Sequence, residues 1–288
     1  MASEEFPTGK LGSIGSDGWE SPRIDTSIAH PARMYDYYLG GKDNFPADRE
    51  AAERVIATGI RAREFARANR AFLGRAVRFL SERGITQFLD IGTGIPTVGN
   101  THEVAQETDP AATVVYVDND PIVLAHARAL MAGHGRGATT VIQADLRDPE
   151  AILSHPKVRA AIDFDRPIGL ILVAVLHFVR EDEDPDGIVK LLRDALPVGS
   201  YLVMSHGTGG EPESETAGRM ERIAEVYKER SSSSLTLRDR DRIGEFFGDF
   251  ELVEPGLVSA PRWRPVDPVS DDVVYQVTAV YGGVGRKV

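Results

Sequence analysis

Hydrophobic and polar residues follow different patterns on the two sides of Gly84. Before this glycine, apolar residues recur at spacings of three and four, which predicts amphipathic helices, and Gly40-Gly41 supplies a helix stop. After it, short runs of β-branched and apolar residues alternate with helical stretches. That alternation is typical of a parallel sheet built from βαβ units. The pattern therefore predicts a helical N-terminal extension over residues 25–84 and an α/β domain over residues 85–288.

Seven strands are predicted in the second region. They are Gln87–Ile91, Thr113–Val117, Thr139–Gln143, Ile168–Val173, Ser200–Ser205, Phe250–Val258 and Val273–Tyr281. Asn100 and Glu103 form a capping-box pattern at the start of one of the intervening helices. Three other helix starts place an acid before a first-turn proline: Asp120-Pro121, Asp148-Pro149 and Asp184-Pro185. Two further helices are predicted over Glu213–Arg230 and Arg238–Phe247.

Residues 1–24 show no hydrophobic period and are rich in glycine, serine and acid, so we expect a disordered tail. This segment has neither a basic leader nor an apolar run, which is unlike a signal peptide. The longest apolar stretch, Ile168–Leu176, is too short to cross a bilayer. We therefore expect a cytoplasmic protein that does not associate with membranes.

The composition of the 288 residues narrows the possible functions. With 42% hydrophobic and 27% charged residues, the chain can bury a substantial core. Its net charge of −11 repels polyanions, so a nucleic acid is not the expected partner. The chain contains no cysteine, which excludes disulfides and thiolate chemistry. His30, His102 and His206 do not have the spacing of metal ligands, and no metal site is expected.

A predicted strand that ends in an acid leads into a glycine-rich turn. Phe88-Leu89-Asp90-Ile91 is followed by Gly92-Thr93-Gly94. Glycines permit positive φ and let the backbone approach a ligand closely, and the following helix presents free N–H groups. Asp90, Gly92, Thr93 and Gly94 are therefore predicted to contact a nucleotide-like ligand.

The same turn distinguishes between two cofactors. Thr97 occupies the third glycine position of the dinucleotide fingerprint G-x-G-x-x-G, so that fingerprint is incomplete. The Asp90 carboxylate would repel a pyrophosphate but attract the ammonium group of S-adenosylmethionine, which has no phosphate. The turn therefore favours S-adenosylmethionine, and an NAD-linked oxidoreductase is a weaker alternative.

Two more acids end predicted strands. Asp118 closes the second strand, where a carboxylate can accept hydrogen bonds from both ribose hydroxyls. Asp145 follows the third strand, where it could accept from the adenine amino group, with Leu146 against the ring. Because ligands of open α/β sheets bind at the carboxyl ends of the strands, we expect Asp90, Asp118 and Asp145 to line one edge.

These motifs resemble those of a known enzyme class. Asp90-Ile-Gly-Thr-Gly, Val-Asp118-Asn-Asp-Pro and Gln-Ala-Asp145-Leu are similar to the first three motifs of class I S-adenosylmethionine-dependent methyltransferases. Ala29–Phe45, Leu176-His-Phe and Tyr281–Arg286 resemble an actinobacterial family of such enzymes, mostly without assigned substrates.

The resemblance implies a Rossmann-like, seven-stranded α/β sheet of order 3-2-1-4-5-7-6, with the seventh strand antiparallel. It also implies where the parts of the cofactor lie. The methionine moiety would lie near Asp90, Gly92 and Gly94, and the ribose near Asp118. Adenine would lie between Asn119, Asp145 and Leu146, and Ala174, just past the fourth strand, would also face the cofactor.

Two further residue types are candidates for the reaction itself. His177 follows the fourth strand at the expected active edge and could act as a general base, or it could satisfy loop backbone groups. Tyr38 belongs to an aromatic block with Tyr35, Tyr37 and Phe45 beside Gly40-Gly41. This block could form a lid that meets the sulfonium by cation–π attraction, or it could be plain helix packing.

The sequence thus predicts a methyltransferase that moves the methyl group of S-adenosylmethionine to a small-molecule acceptor and releases S-adenosylhomocysteine. The rival hypothesis is a sensor or interaction protein that binds the cofactor without catalysis, because no motif requires an acceptor.

Overall fold

The computed structural model describes residues 25–131, 137–209, 215–270 and 279–288. The predicted tail, residues 1–24, lies outside the described residues. No helix in the described ranges has the length and apolar character needed to span a membrane.

A central sheet forms the middle layer of the molecule. Its strands are β1 (Gln87–Ile91), β2 (Thr113–Asp118), β3 (Thr139–Gln143), β4 (Gly169–Val173), β5 (Tyr201–Gly207), β6 (Phe250–Leu252), β7 (Val258–Ser259) and β8 (Val280–Lys287). Their order is β3-β2-β1-β4-β5-β8-β6, and β7 pairs with β8 beside this path. Strands β1 to β5 pair in parallel, and β8 runs antiparallel to β5 and β6. With the two-residue β7 set aside, this is the order that the resemblance to class I methyltransferases implies.

Helices precede the sheet and connect its strands. They are α1 (Pro31–Leu39), α2 (Pro46–Ala57), α3 (Ala62–Ser81), α4 (Thr101–Thr108), α5 (Pro121–Met131), α6 (Pro149–Ser154), α7 (Pro156–Ala161), α8 (Pro185–Asp194), α9 (Glu215–Arg230) and α10 (Arg240–Glu245). Short 3₁₀ turns cover Leu176–Phe178, Glu181–Glu183 and Ala260–Arg262.

Several predicted helix caps are present. The Asn100 and Glu103 capping box closes the start of α4. The side chains of Asp148 and Asp184 accept backbone N–H groups at the starts of α6 and α8. Each cap satisfies donors that the first helical turn leaves free, which is why these local signals fixed the helix starts correctly.

The C-terminal strands differ from the prediction. The run Phe250–Val258 is divided into β6 and β7, because Pro255 has no N–H to donate and Gly256 turns the backbone at φ +84°. The last strand begins at Val280 and continues to Lys287, further along the chain than the predicted Val273–Tyr281. Residues 273–278 of that prediction lie outside the described residues.

Glycine explains why the end of β8 was missed. Glycine is usually depleted in strands, yet β8 contains Gly282, Gly283 and Gly285. A Cβ at Gly282 would lie 2.9 Å from the Phe72 ring, and one at Gly285 would lie 2.8 Å from the Phe247 ring. These glycines let aromatic side chains from both faces pack directly onto the strand.

Two apolar clusters cover opposite faces of the sheet. Along β1, Leu89 and Ile91 belong to one cluster and Phe88 to the other, as expected when side chains alternate along a strand. A third cluster joins α1, α2 and the first part of α3 to α9, with Met34 and Met220 among its buried members. The N-terminal helices and α9 therefore pack together around a shared hydrophobic cluster.

Candidate active site

One cavity brings together all the residues that the sequence analysis selected for the site. Its lining includes Tyr38, Asp90, Gly92, Thr93, Gly94, Asp118, Asn119, Asp145, Leu146, Ala174 and His177. The strand-end acids, the glycine turn and Tyr38 of the N-terminal aromatic block are thus neighbours in space, although they lie far apart in sequence. Their individual roles remain predictions.

The turn after β1 depends on two glycines for different reasons. Gly92 has φ +77°, and a Cβ there would lie 2.3 Å from Cγ2 of Val175, so this glycine is required by packing. Gly94 has φ +67° and no atom within 4 Å of the Cβ position. Its N–H donates to Oδ2 of Asp118 at 2.8 Å, which ties the turn to the end of β2. Gly94 therefore leaves free space beside two strand-end acids.

Asp90 and Asp118 are buried carboxyl groups without an ion-pair partner among the described residues. The Thr101 hydroxyl donates to Asp90 at 2.6 Å, and the N–H of Asp120 donates to Asp118 at 2.9 Å. Burial raises the pKa of each carboxyl, and the hydrogen bonds lower it. The effect of burial is larger, so the pKa of each group is about 6. Two buried carboxylates that lack a cationic partner suit a positively charged ligand and would repel a phosphate.

Asp145 has a different environment. Arg147 donates to both of its carboxylate oxygens at 3.1 Å, and the amide of Asn119 donates to Oδ2 at 3.2 Å. Burial raises the pKa of Asp145, but the backbone N–H and charge of Arg147 outweigh that effect and lower it. Asp145 is consequently an ionised, half-exposed acceptor at the outer end of the cavity.

Helix α3 contributes two site residues that the sequence analysis missed. Arg70 lines the cavity, and its Nη2 donates to the Gly99 carbonyl at 3.2 Å, next to the start of α4. The side-chain oxygen Oδ1 of Asn69 accepts from the Ser205 hydroxyl at 2.6 Å. That hydroxyl accepts in turn from the backbone N–H of Ala174 at 3.0 Å. No local motif marks these residues, because a helix reaches the site only through tertiary packing.

The aromatic block is split by the fold. Tyr35 and Tyr38 line the cavity, whereas Tyr37 is hydrogen-bonded to Glu53 and Phe45 packs under the Arg33 guanidinium. The Tyr35 hydroxyl donates to the Ala66 carbonyl at 2.9 Å, which fixes that ring against α3. Burial raises the pKa of Tyr38 well above its usual range. Both rings near the cavity are therefore neutral phenols around neutral pH.

The N-terminal helices and α9 build an apolar wall of the cavity. The side chains of this apolar wall are Tyr35, Tyr38, Val55, Ile60, Ala62, Phe65, Met220, Ile223, Tyr227 and Leu235. Burial also raises the pKa of Tyr227 to about 12. The apolar part of a small molecule fits this compartment, because none of the side chains named for the wall needs a charged partner.

His177 lies in the 3₁₀ turn that follows β4 and borders the same cavity. The backbone N–H of Gly207 donates to its Nδ1 at 3.1 Å. Burial, and secondarily the positive charge of Arg238, lowers the pKa of His177 to about 3. The position agrees with the expected active edge, but these contacts do not favour the role of a general base. His206, at the end of β5, is fully buried behind His177.

The profile of the S-adenosyl methyltransferase family matches residues 17–288 of the chain. The chain belongs to this family. No curated protein matches it. A crystal structure of a candidate methyltransferase from Thermobifida fusca is 46% identical, with a TM-score of 0.84, and the match covers 94% of this chain and 99% of that chain. A crystal structure of a DUF574 family protein from Streptomyces avermitilis is 44% identical, with a TM-score of 0.81. That match covers 92% of this chain and 100% of the Streptomyces chain.

Membership of the S-adenosyl methyltransferase family confirms the resemblance seen in the motifs. The cofactor is S-adenosylmethionine, and the product derived from it is S-adenosylhomocysteine. The paired carboxyl groups of Asp90 and Asp118 fit this cofactor, since it contains a sulfonium and an ammonium group and no phosphate.

Proposed function

We propose that this S-adenosyl methyltransferase moves a methyl group to an apolar small molecule bound under α1, α2, α3 and α9. A single observation supports the proposal. The acid and glycine site at the strand ends and the apolar wall from the helices face the same cavity. The methyl donor and the methyl acceptor could therefore contact each other directly in that cavity.

We assign the parts of the cofactor site as follows. The Asp90 carboxylate attracts the methionine ammonium, and Asp118 accepts the ribose hydroxyls. Asp145 and Asn119 contact the adenine edge, while Leu146 and Ala174 contact the adenosine moiety through their apolar surfaces. Each assignment rests on the charge and position of the side chain in the cavity.

The methionine end has a carboxylate as well as an ammonium group. Arg70 is a cation that lines the cavity on the side of Asp90, and its charge lowers the pKa of that carboxyl. We therefore assign Arg70 to the carboxylate of the methionine moiety. Opposite charges on Arg70 and Asp90 would orient the zwitterionic end of the cofactor in one direction.

When bound, S-adenosylmethionine supplies a methyl group on a positively charged sulfur. The residues of the chain then have to align the acceptor with that methyl group and exclude water. Alignment of this kind contributes on the order of 7 to 11 kcal/mol in favourable cases. The apolar wall and Tyr38 perform both tasks in this proposal.

Two measurements test the function. Titration calorimetry with S-adenosylmethionine measures binding, and incubation with methyl-labelled cofactor and the low-molecular-weight fraction of the source organism's extract measures transfer. Labelled small-molecule product supports the methyltransferase. Saturable binding without any product would instead support a sensor, and an absence of binding would contradict both hypotheses.

A further inference from the structure

We propose that His177 is a fixed hydrogen-bond donor to the methyl acceptor rather than a base, and that the backbone N–H of Gly207 fixes its tautomer, with His206 and Arg238 packed behind it. This inference rests on the proposed methyl transfer in the cavity and adds the chemical class of the acceptor. The acceptor presents an ionised oxygen to Nε2–H of His177.

The hydrogen-bond partners of the two histidines define their tautomers. An arginine can only donate, so Nε2 of His206 accepts from Nη1 of Arg238, at 2.9 Å. The proton of a neutral His206 is then on Nδ1, which donates to the Gly207 carbonyl at 2.6 Å. Both contacts of His206 agree on one tautomer.

His177 contacts the same residue, Gly207, through a different peptide group, so its tautomer is set separately from that of His206. The backbone N–H of Gly207 can only donate, so Nδ1 of His177 accepts, at 3.1 Å. A neutral His177 therefore has its proton on Nε2. Because Nδ1 is occupied, Nε2–H is the ring group that a molecule in the cavity can contact, and it cannot accept a proton from that molecule.

The charges around His177 keep its ring neutral. Arg238 is 4% exposed, and its positive charge acts on His177 and His206 together. Its guanidinium is fixed on the other side by Glu181, which accepts from Nε at 2.6 Å, and by the Val179 carbonyl, which accepts from Nη2 at 2.9 Å. Burial and this charge lower the pKa of both histidines.

A donor held next to a buried positive charge stabilises negative charge on a bound oxygen. A phenol or alcohol that must lose its proton to a base is therefore a poor acceptor in this site. A molecule that enters as an enolate, phenolate or carboxylate matches the arrangement. Its lone pair forms the bond to the methyl carbon, the bond from that carbon to sulfur breaks with its electrons left on sulfur, and no proton has to be removed. The apolar wall accommodates the rest of such a molecule.

The first test is NMR spectroscopy of the full-length protein labelled with ¹⁵N-histidine, with the His177 signals assigned from the H177Q spectrum. We expect His177 to be in the Nε2–H form with no titration between about pH 5.5 and pH 8. A titration near the usual pKa, or a proton on Nδ1, would overturn the proposal. This measurement needs no acceptor.

Variants of the ion-pair group test how the two tautomers are set. In R238M we expect the single tautomer of His206 to be lost and the pKa of His177 to rise, while His177 keeps its proton on Nε2. The matched control is R242Q, because Arg242 pairs with Asp186 on the outer side of the same group. In the control we expect both tautomers to be retained. Since R238M could fail to fold, H206Q is the second variant, and loss of the Nε2–H form of His177 in H206Q would contradict the assignment of its tautomer to the Gly207 N–H.

The rate of methyl transfer to the extract fraction distinguishes the hydrogen-bond donor role of His177 from the role of a base. At limiting acceptor concentration we expect H177F to lose about 100-fold in the rate of label incorporation, because it binds the ionised acceptor more weakly, and H177Q, whose amide can donate, to lose much less. Equal losses in the two variants would contradict the donor role. If the wild-type protein binds S-adenosylmethionine but transfers no label, the proposed function fails while the NMR result stands.

Discussion

Asp90 and Asp118 place two negative charges in the buried part of the site, which is unfavourable for the empty protein and favourable for a cationic ligand. Burial raises the pKa of both carboxyl groups to about 6. In the proposed assignment, these groups bind S-adenosylmethionine in their ionised form. The same carboxyl groups therefore link cofactor affinity, pH and stability.

We expect the affinity for S-adenosylmethionine to fall as the pH is lowered through about 6. Below that pH, Asp90 becomes protonated and loses its attraction for the ammonium group, and a protonated Asp118 can no longer accept from both ribose hydroxyls with a carboxylate. Titration calorimetry between about pH 5 and pH 8 measures the change. The control is D90N, for which we expect weaker binding and a shallower pH dependence. An affinity of the wild-type protein that does not change across this range would contradict the assignment.

We expect D90N to make the cofactor-free protein more stable above pH 6. The pKa of Asp90 is about 6 in the folded state against 3.8 unfolded, so the folded state binds more protons in between and stability falls as the pH rises through this window. Removing the charge should raise the free energy of unfolding at neutral pH by about 1 to 3 kcal/mol.

Urea unfolding at about pH 5 and pH 7.5 checks this sign. The Asn side chain can still accept from the Thr101 hydroxyl, which preserves the hydrogen bond that Asp90 makes. A lower stability of D90N at the higher pH would show that the carboxylate contributes favourably to the fold, contrary to our interpretation.

The turn between β1 and α4 contains two glycines, Gly92 and Gly94, whose alanine variants form a matched pair. Both glycines have positive φ, so an alanine is strained by about 1 kcal/mol at either position. Only Gly92 has a packing restriction, because its Cβ would collide with Val175.

We therefore expect G92A to lower the free energy of unfolding more than G94A. G94A should instead weaken cofactor binding, since its methyl group projects into the space beside Asp118. Chemical denaturation and titration calorimetry on both variants measure the contrast. V175A removes Cγ1 and Cγ2 of Val175 but leaves its Cβ, 2.5 Å from the added Cβ, so it should restore only part of the stability of G92A. Full recovery in the double variant would contradict a contribution from backbone strain.

Helix α1 is joined to the sheet by buried charges. Nε of Arg33 lies 3.3 Å from Asp120, at the start of α5, and 3.6 Å from Asp48 of α2. His30, the N-cap of α1, lies 3.1 Å from the same Asp120 carboxylate. Asp120 is two residues from Asp118, so these contacts connect the N-terminal helices directly to the cofactor site.

We expect R33M to lower the free energy of unfolding by about 3 to 5 kcal/mol, because it leaves the carboxylates of Asp48 and Asp120 buried without their cation. The control is R54M, which removes one partner of the exposed Arg54 and Glu50 pair and should cost less than about 0.5 kcal/mol. Chemical denaturation measures both. Similar losses in the two variants would show that the buried group is of little importance.

Helix α3 has two functions in the molecule as a whole. Its first part packs with α1, α2 and α9, and its second part, including Phe72 and Leu80, covers one face of the sheet. Between these parts, Asn69 and Arg70 reach the site. The same helix therefore lines the cavity and packs against the sheet. The apolar wall of the cavity is for this reason part of the packing of the whole molecule.

Much of this architecture could be predicted from the sequence. The strands from β1 to β5 lie within two residues of their predicted positions, and the caps at Asn100, Asp148 and Asp184 are present. The end of β8 was missed, because glycines that serve close packing resemble turn residues when they are considered alone. Arg70 was missed because only packing brings α3 to the site.

The sequence by itself determined the strand and helix order and the residues at the strand ends. These properties depend on the hydrophobic period, caps and turn glycines, which act within a few residues of each other. Only the tertiary structure decided the electrostatics of Asp90 and Asp118, the apolar wall and the tautomer of His177. Burial and hydrogen-bond partners from distant segments set those properties, since a pKa or a tautomer depends on the groups that surround it in space.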